Sequence, residues 1–152
     1  DALFVQTHRD PVNTVISMSN LAAELQGMNS DHADQRRIAM HYAEGLAKGY
    51  NATVDYRSSG ALPDSQVVDL YFRDFIKDQV GTVRRAYEHF GLTLTTTAAA
   101  SMQSFLDDNP ADKHGKHLYT FQDTGLDEEA LRAMFSKYEP YFDIPREALR
   151  AE

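Results

Sequence analysis

The 152-residue sequence predicts an α/β fold that is mostly helical, with two or so short parallel strands. Residues 2–7 and 66–71 are short apolar runs stopped by polar turns, which is typical of interior strands of an α/β sheet. Through most of the remaining chain, apolar residues recur at helical spacing. No internal repeat, low-complexity tract or linker divides the sequence, so one domain is expected.

Composition and charge exclude several classes of protein. With 42% hydrophobic and 25% charged residues, the chain has the composition of an ordinary soluble globular protein, and it has no signal pattern or membrane-spanning run. A formal charge of -8 argues against nonspecific binding to nucleic acid or anionic lipid. The absence of cysteine excludes disulfides, thiolate metal sites and a cysteine nucleophile, and it fits a reducing cytoplasm.

The first predicted helix follows the first strand almost directly. Pro11 suits the first helical position, and Asp10 can cap the helix. Gly27 ends it. The apolar residues that recur at helical spacing are Val15, Met18, Ala22 and Leu25.

Three more helices are predicted before the basic loop at residues 112–117. A long helix stops near Gly60, and a shorter one is ended by Gly91. Thr95 or Thr96 can cap the next helix, which ends at Asn109 and Pro110. The apolar and aromatic positions of the three helices are, in turn, Ile38, Tyr42, Leu46, Tyr50 and Val54; Val80, Val83, Tyr87 and Phe90; and Ala98, Met102, Phe105 and Leu106. The last four, on the helix that Thr95 or Thr96 caps, are expected to face inward.

A last helix is predicted from about Asp127, and Pro140 bends or ends it. Its inward residues are expected to be Leu131, Met134, Phe135 and Tyr138.

The junction between the first strand and the first helix is a candidate anion site. A strand that runs into a helix start exposes backbone N–H groups and the positive end of the helix dipole. Arg9 adds a guanidinium that can hold a phosphate through two bonds, and Ser17 offers a hydroxyl on the polar face of the helix. The pattern is short, so an alternative is that Arg9 pairs with a nearby carboxylate while Ser17 faces water.

A basic loop with a central glycine is a second candidate. Gly115 lets the backbone approach an anion closely, between Lys113 and Lys116. An ordinary solvated turn is the alternative. His114 and His117 have no evident third ligand, so no metal site is predicted.

Other chemical side chains favour structural roles. His8 follows the first strand and could act as a base, but a packed, hydrogen-bonded histidine is favoured. Tyr42, Tyr50 and Tyr56 lie along one helix and could face an acceptor pocket, but an aromatic stripe at this spacing favours a core.

In their order and spacing, these motifs resemble the bacterial sulfotransferases that use 3′-phosphoadenosine-5′-phosphosulfate. Arg9 and Ser17, eight residues apart, match the arginine and serine that hold the 3′-phosphate of the donor in that family. Residues 70–75 are similar to a strand end that approaches the adenine, and residues 112–117 to a basic glycine loop that closes over the 3′-phosphate. The resemblance therefore implies a nucleotide-binding set of Arg9, Ser17, Phe72, Lys113, His114 and Gly115.

The sequence also departs from that family. Phe72 stands where a tyrosine is frequent, which keeps a ring but removes a hydroxyl. Lys113 and His114 replace an arginine–lysine pair, and a neutral histidine contributes less charge. No glycine-rich loop with a lysine, serine or threonine precedes a helix in these residues, so the part that would hold the 5′-phosphosulfate is not recognised and no catalytic residue is predicted.

The resemblance implies the C-terminal half of a P-loop-like nucleotide-binding sulfotransferase fold, with residues 1–152 as a single partial domain. The implied reaction moves a sulfuryl group from 3′-phosphoadenosine-5′-phosphosulfate to a hydroxyl or amine of a small-molecule acceptor, and this chain alone is expected to be inactive. A homo-oligomer is a further expectation, because an unpaired first strand invites self-association.

Two other functions stay open on the residues. One is a non-catalytic, mainly helical interaction module; the other is a truncated kinase-like P-loop nucleotide enzyme. Comparing the binding of adenosine 3′,5′-bisphosphate with that of ATP distinguishes the kinase-like enzyme from a sulfotransferase, because only the bisphosphate presents a 3′-phosphate.

Overall fold

A computed structural model describes residues 2–110, 113 and 120–149. These residues form two strands, seven α-helices and short 3-10 turns at Asp64–Gln66 and Gln122–Thr124. The predicted class, mostly helical with two parallel strands, is confirmed. In chain order the elements are β1 (Phe4–His8), α1 (Pro11–Gly27), α2 (Gln35–Ser58), β2 (Val67–Tyr71), α3 (Phe72–Phe75), α4 (Gln79–His89), α5 (Thr96–Asp108), α6 (Glu128–Met134) and α7 (Tyr138–Tyr141).

The chain divides into two compact units. The strand unit comprises Asp1–His8 and Leu62–His117, and the helical unit comprises Arg9–Ala61 and Leu118–Glu152. Among the described residues, no helix combines the length and the apolar character that crossing a membrane requires.

In the strand unit, β1 and β2 pair in parallel, from Phe4 opposite Val67 to His8 opposite Tyr71. The prediction of a buried first strand was wrong for its apolar start, because Leu3, Phe4 and Val5 are about half exposed. Both α3 and α4 pack against β2, which leaves β1 with less cover in the described part of this unit. Self-association through β1 stays a prediction.

The helix ends of the strand unit follow local signals. Gly91 has a positive φ of 66°, which only glycine adopts without strain, and it follows α4 as predicted. Thr95 caps α5 by accepting a hydrogen bond from the N–H of Ala98 at 3.2 Å. The predicted inward position of Phe105 was wrong, because 66% of this residue is exposed. Of the α5 residues only Ala99 is buried.

In the helical unit, α1 and α2 pack together, and α6 packs against both. Small side chains of α2, Ala43 and Ala47, allow close packing at the centre of the core. The apolar face of α1 is only partly covered, because Met18 and Leu25 are exposed. The core cluster consists of Val12, Val15, Ile16, Ala43, Ala47, Leu131 and Phe135.

The last predicted helix is two helices in the structure. The first of them, α6, ends at Met134, and the second, α7, begins at Tyr138. Pro140 explains the break, because proline inside a continuous helix would lack a backbone donor and clash with the preceding turn, whereas the first turn of a new helix tolerates it. Phe135 and Tyr138 are fully buried, as predicted.

Candidate functional site

The junction between β1 and α1 has the predicted geometry. β1 ends at His8 and α1 begins at Pro11, so Arg9 lies at the helix start. Asp10 is the N-cap, and its Oδ1 accepts a hydrogen bond from the N–H of Val12 at 2.9 Å. The hydroxyl of Thr14 donates to the carbonyl of Asp10 at 3.1 Å. The first turn of α1 is therefore held by Asp10.

The Asp10 carboxylate is buried and bound by Arg132. Only 1% of Asp10 and 4% of Arg132 is exposed. Nη1 and Nη2 of Arg132 donate to Oδ1 and Oδ2 of Asp10, each at 3.2 Å. This two-pronged contact matches the planar guanidinium to the planar carboxylate and holds α6 to the start of α1.

Two further carboxylates bind Arg132. Its Nε donates to Glu128 at 2.9 Å, and its Nη1 donates to Glu139 at 3.1 Å. Burial lowers the pKa of Arg132, but the hydrogen bonds to Asp10 and Glu128 outweigh burial and hold the pKa above its usual range. The guanidinium therefore stays charged, and its positive charge compensates the negative charge of the buried Asp10 carboxylate.

Glu147 completes the contacts around the junction. Its N–H donates to Oδ2 of Asp10 at 2.9 Å. Its own carboxylate accepts from Nε of Arg9 at 3.2 Å and, over a long 3.5 Å, from the N–H of Asp10. Arg9 thus has a carboxylate partner, as the alternative interpretation of this arginine proposed. The residues in contact here, named the junction cluster, are Arg9, Asp10, Glu128, Arg132, Glu139 and Glu147.

Ser17 lies in the helical unit with Arg9. It is partly exposed on α1, six residues beyond Pro11. That separation corresponds to a rise of about 9 Å along the helix. An anion that contacted both Arg9 and Ser17 would therefore lie beside the first turns of α1 and not on the helix axis.

The other predicted site residues belong to the strand unit. Phe72 directly follows β2 and begins α3, and it is partly buried, so the predicted position at a strand end is confirmed. Lys113 is exposed, and its Nζ donates to the carbonyl of Asp108 at 2.8 Å and to Oδ1 of Asn109 at 3.0 Å. These contacts satisfy acceptors at the end of α5. His114 and Gly115 lie outside the described residues.

His8 is a packed histidine, as favoured from the sequence. It is buried, its Nε2 lies 2.9 Å from Oδ1 of Asp69, and its ring stacks on Tyr71 with centroids 5.2 Å apart. Across the described ranges, no group of three or more histidine, cysteine, aspartate or glutamate side chains could hold a metal ion.

Tyr50 confirms that part of the tyrosine stripe belongs to the core. Its ring lies 4.4 Å from that of Tyr138 and 5.8 Å from that of Phe135, measured between centroids. Burial raises the pKa of the Tyr50 hydroxyl, although a hydrogen bond with Thr14 lowers it in part. Tyr56, in contrast, is exposed.

Sequence reasoning missed Arg132 and Glu147. Glu128 and Arg132 are spaced as an ion pair on one helix face, which was the available local signal. No pattern, however, joins Arg132 or Glu147 to Asp10, because more than a hundred residues of chain separate them.

Comparisons with known proteins connect the chain to one family. A family model described as "Sulfotransferase family" matches residues 1–96. The crystal structure of sulfotransferase STF9 from Mycobacterium avium is similar, with 27% identity and a TM-score of 0.73, over 91% of this chain and 35% of that chain. For sulfotransferase STF1 from Mycobacterium tuberculosis H37Rv, the identity is 27% and the TM-score 0.67, over 90% of this chain and 33% of that chain. The chain thus spans about a third of the length of these two proteins. Among curated proteins, none matches it.

Proposed function

Because this chain belongs to the sulfotransferase family, we propose that the intact protein transfers a sulfuryl group from 3′-phosphoadenosine-5′-phosphosulfate to a small-molecule acceptor. The acceptor group would be a hydroxyl or an amine. This chain, as a partial domain, would contribute the half of the site that binds the 3′-phosphate. A cytoplasmic location, with which the absence of cysteine is compatible, belongs to the same proposal.

The observation that carries the proposal is the position of Arg9 at the start of α1. A helix start attracts anions, and a guanidinium beside it supplies the paired donors that a phosphate accepts. The side chain of Arg9 is 34% exposed, so a ligand can reach it from solvent. Both Arg9 and Ser17 lie within the residues that match the family.

The remaining residues would contact the rest of the nucleotide. Phe72 would offer its ring to the adenine, since an aromatic face stacks on any base. Lys113, His114 and Gly115 would add positive charge and backbone N–H groups to the same 3′-phosphate. For this, Lys113 would exchange its contacts with the end of α5 for the ligand.

In this proposal the junction holds the donor at a phosphate remote from the reacting sulfur. Sulfuryl transfer resembles phosphoryl transfer in that a protein contributes mainly positioning and charge stabilisation. Binding energy gained at the 3′-phosphate can align the sulfuryl group with its acceptor, although the 3′-phosphate itself does not take part in the reaction.

Replacing Arg9 tests the proposal. In the full-length protein, we expect Arg9→Ala to weaken the binding of adenosine 3′,5′-bisphosphate by roughly ten- to a hundredfold, because a charge-assisted pair is lost. Arg9→Lys should recover part of this loss, because a point charge cannot make two parallel bonds. Ser17→Ala should cost about 1 kcal/mol of binding free energy, as expected for a neutral hydroxyl. Isothermal calorimetry measures all three.

The controls are a second nucleotide and a second arginine. 5′-AMP has no 3′-phosphate, so its affinity should be nearly indifferent to Arg9→Ala. Arg37 is exposed on α2, and Arg37→Ala should leave both affinities unchanged. If Arg9→Ala weakens both nucleotides equally, Arg9 supports the fold and not the phosphate. If ATP binds and the bisphosphate does not, the kinase-like alternative is favoured.

We also predict that the 152-residue chain alone has no sulfotransferase turnover. The motive is the sequence, in which no loop suited to the 5′-phosphosulfate is recognised. The purified chain would be incubated with the donor and a panel of phenols, sugars and amines. Sulfation clearly above that of a heat-killed control would contradict this prediction.

A further inference from the structure

The carboxylate of Glu147 lies where the junction would hold an external anion. It accepts from Nε of Arg9 at 3.2 Å and from the N–H of Asp10 at 3.5 Å. A guanidinium and a backbone N–H at a helix start are two kinds of donor with which proteins commonly hold phosphates. Glu147 therefore acts toward these donors as an internal anion.

The backbone around Glu147 is held by contacts on both sides, so a shift of the chain away from the junction would break several of them. The N–H of Glu147 is bound to Asp10, which Arg132 holds in turn. On either side of Glu147, Ile144 is buried and Leu149 packs against the core of the helical unit. The simplest way for the carboxylate to leave Arg9 is a rotation of the Glu147 side chain, which is 27% exposed and can turn into water.

The contact between Arg9 and Glu147 is of the kind that a phosphate can replace. The two side chains are 34% and 27% exposed, and ion pairs in contact with water contribute little to stability. A phosphate carries more negative charge than a carboxylate and offers more acceptors for Arg9. A phosphate and the Glu147 carboxylate would also repel each other at the same arginine.

We propose that Glu147 is an internal competitor for Arg9, which weakens the binding of any nucleotide that carries a 3′-phosphate and so eases its release. This inference rests on the proposed function, because it assumes that Arg9 binds that phosphate. It predicts that the affinity rises when the charge of Glu147 is removed.

Glu147→Gln in the full-length protein tests this. The amide keeps the size of the side chain and the backbone contact with Asp10, but it loses the charge. Calorimetry should show adenosine 3′,5′-bisphosphate binding roughly three- to tenfold tighter, while 5′-AMP binds as before. Glu147→Ala, which removes the carboxylate altogether, should change the affinity in the same direction. As a matched control, Glu129→Gln removes an exposed glutamate that pairs only loosely with Arg146, at 3.5 Å, and should change neither affinity.

Unchanged or weaker binding of the bisphosphate by both Glu147 variants would overturn the proposal, since weaker binding would mean that Glu147 orients Arg9 for the ligand. Combining Glu147→Gln with Arg9→Ala should abolish the gain, because the two changes act on one contact. If Arg9→Ala alone leaves the bisphosphate affinity unchanged, the proposed function fails. If Arg9→Ala weakens binding but neither Glu147 variant strengthens it, only the competitor proposal fails.

Discussion

Arg132→Ala should lower the free energy of unfolding by about 3–5 kcal/mol, because it leaves the buried Asp10 carboxylate without its counter-charge. Asp10 would keep its hydrogen bonds from Val12 and Glu147, but these supply no positive charge to a carboxylate whose residue is only 1% exposed. The same change removes the partner of Glu128 and Glu139. Denaturant titration of the protein with and without the substitution measures the loss.

A surface ion pair provides the control. Lys137 binds Asp55 at 2.9 Å, but both side chains are more than half exposed, so Lys137→Ala should cost less than about 1 kcal/mol. Adding Asp10→Asn to Arg132→Ala should restore part of the stability, because asparagine can cap α1 without a buried charge. If Arg132→Ala costs no more than Lys137→Ala, then Asp10 is not buried as a charged group in solution.

Phe135→Ala is expected to destabilise the helical unit by about 3–5 kcal/mol. Phe135 is completely buried in the core cluster and makes an edge contact with the ring of Tyr50. Truncation removes its apolar surface from the core and leaves a cavity between α1, α2 and α6 that close-packed neighbours cannot fill. The shift in the midpoint of thermal or denaturant unfolding measures this cost.

Phe105→Ala is the matched control, since it is the same substitution on a side chain that is 66% exposed on α5. We expect a change within about 0.5 kcal/mol. A large loss from Phe105→Ala would show that the inward position predicted from the sequence is right for the full-length protein. A small loss from Phe135→Ala would contradict the packing of the core.

Local chemistry explains why so many boundaries could be predicted. The cap of Asp10 on α1, the cap of Thr95 on α5 and the positive φ of Gly91 each depend on groups within a few residues. Pro140 also acts locally, but its effect was only half predicted, because proline both ends one helix and is tolerated in the first turn of another. Helical spacing likewise located the core residues Val15, Leu131 and Phe135.

The residues of the candidate site could also be predicted only where local sequence determines them. Arg9 and Ser17 could be selected from the sequence, because a strand–helix junction and a resemblance to sulfotransferases both depend on short, ordered motifs. Burial of the apolar faces could not be predicted, since a periodic pattern shows that a face is apolar and not what covers it. Phe105 and the start of β1 are the examples.

The partners of the junction depend on contacts that leave no trace in the local sequence. Arg132 meets Asp10 across 122 residues, and Glu147 meets Arg9 across 138. The residues next to a carboxylate in the sequence do not show whether it lies in water or faces an arginine from a distant part of the chain. Packing of α6 and residues 144–149 against α1 brings these charges together, because a buried carboxylate must find a counter-charge wherever the fold supplies one.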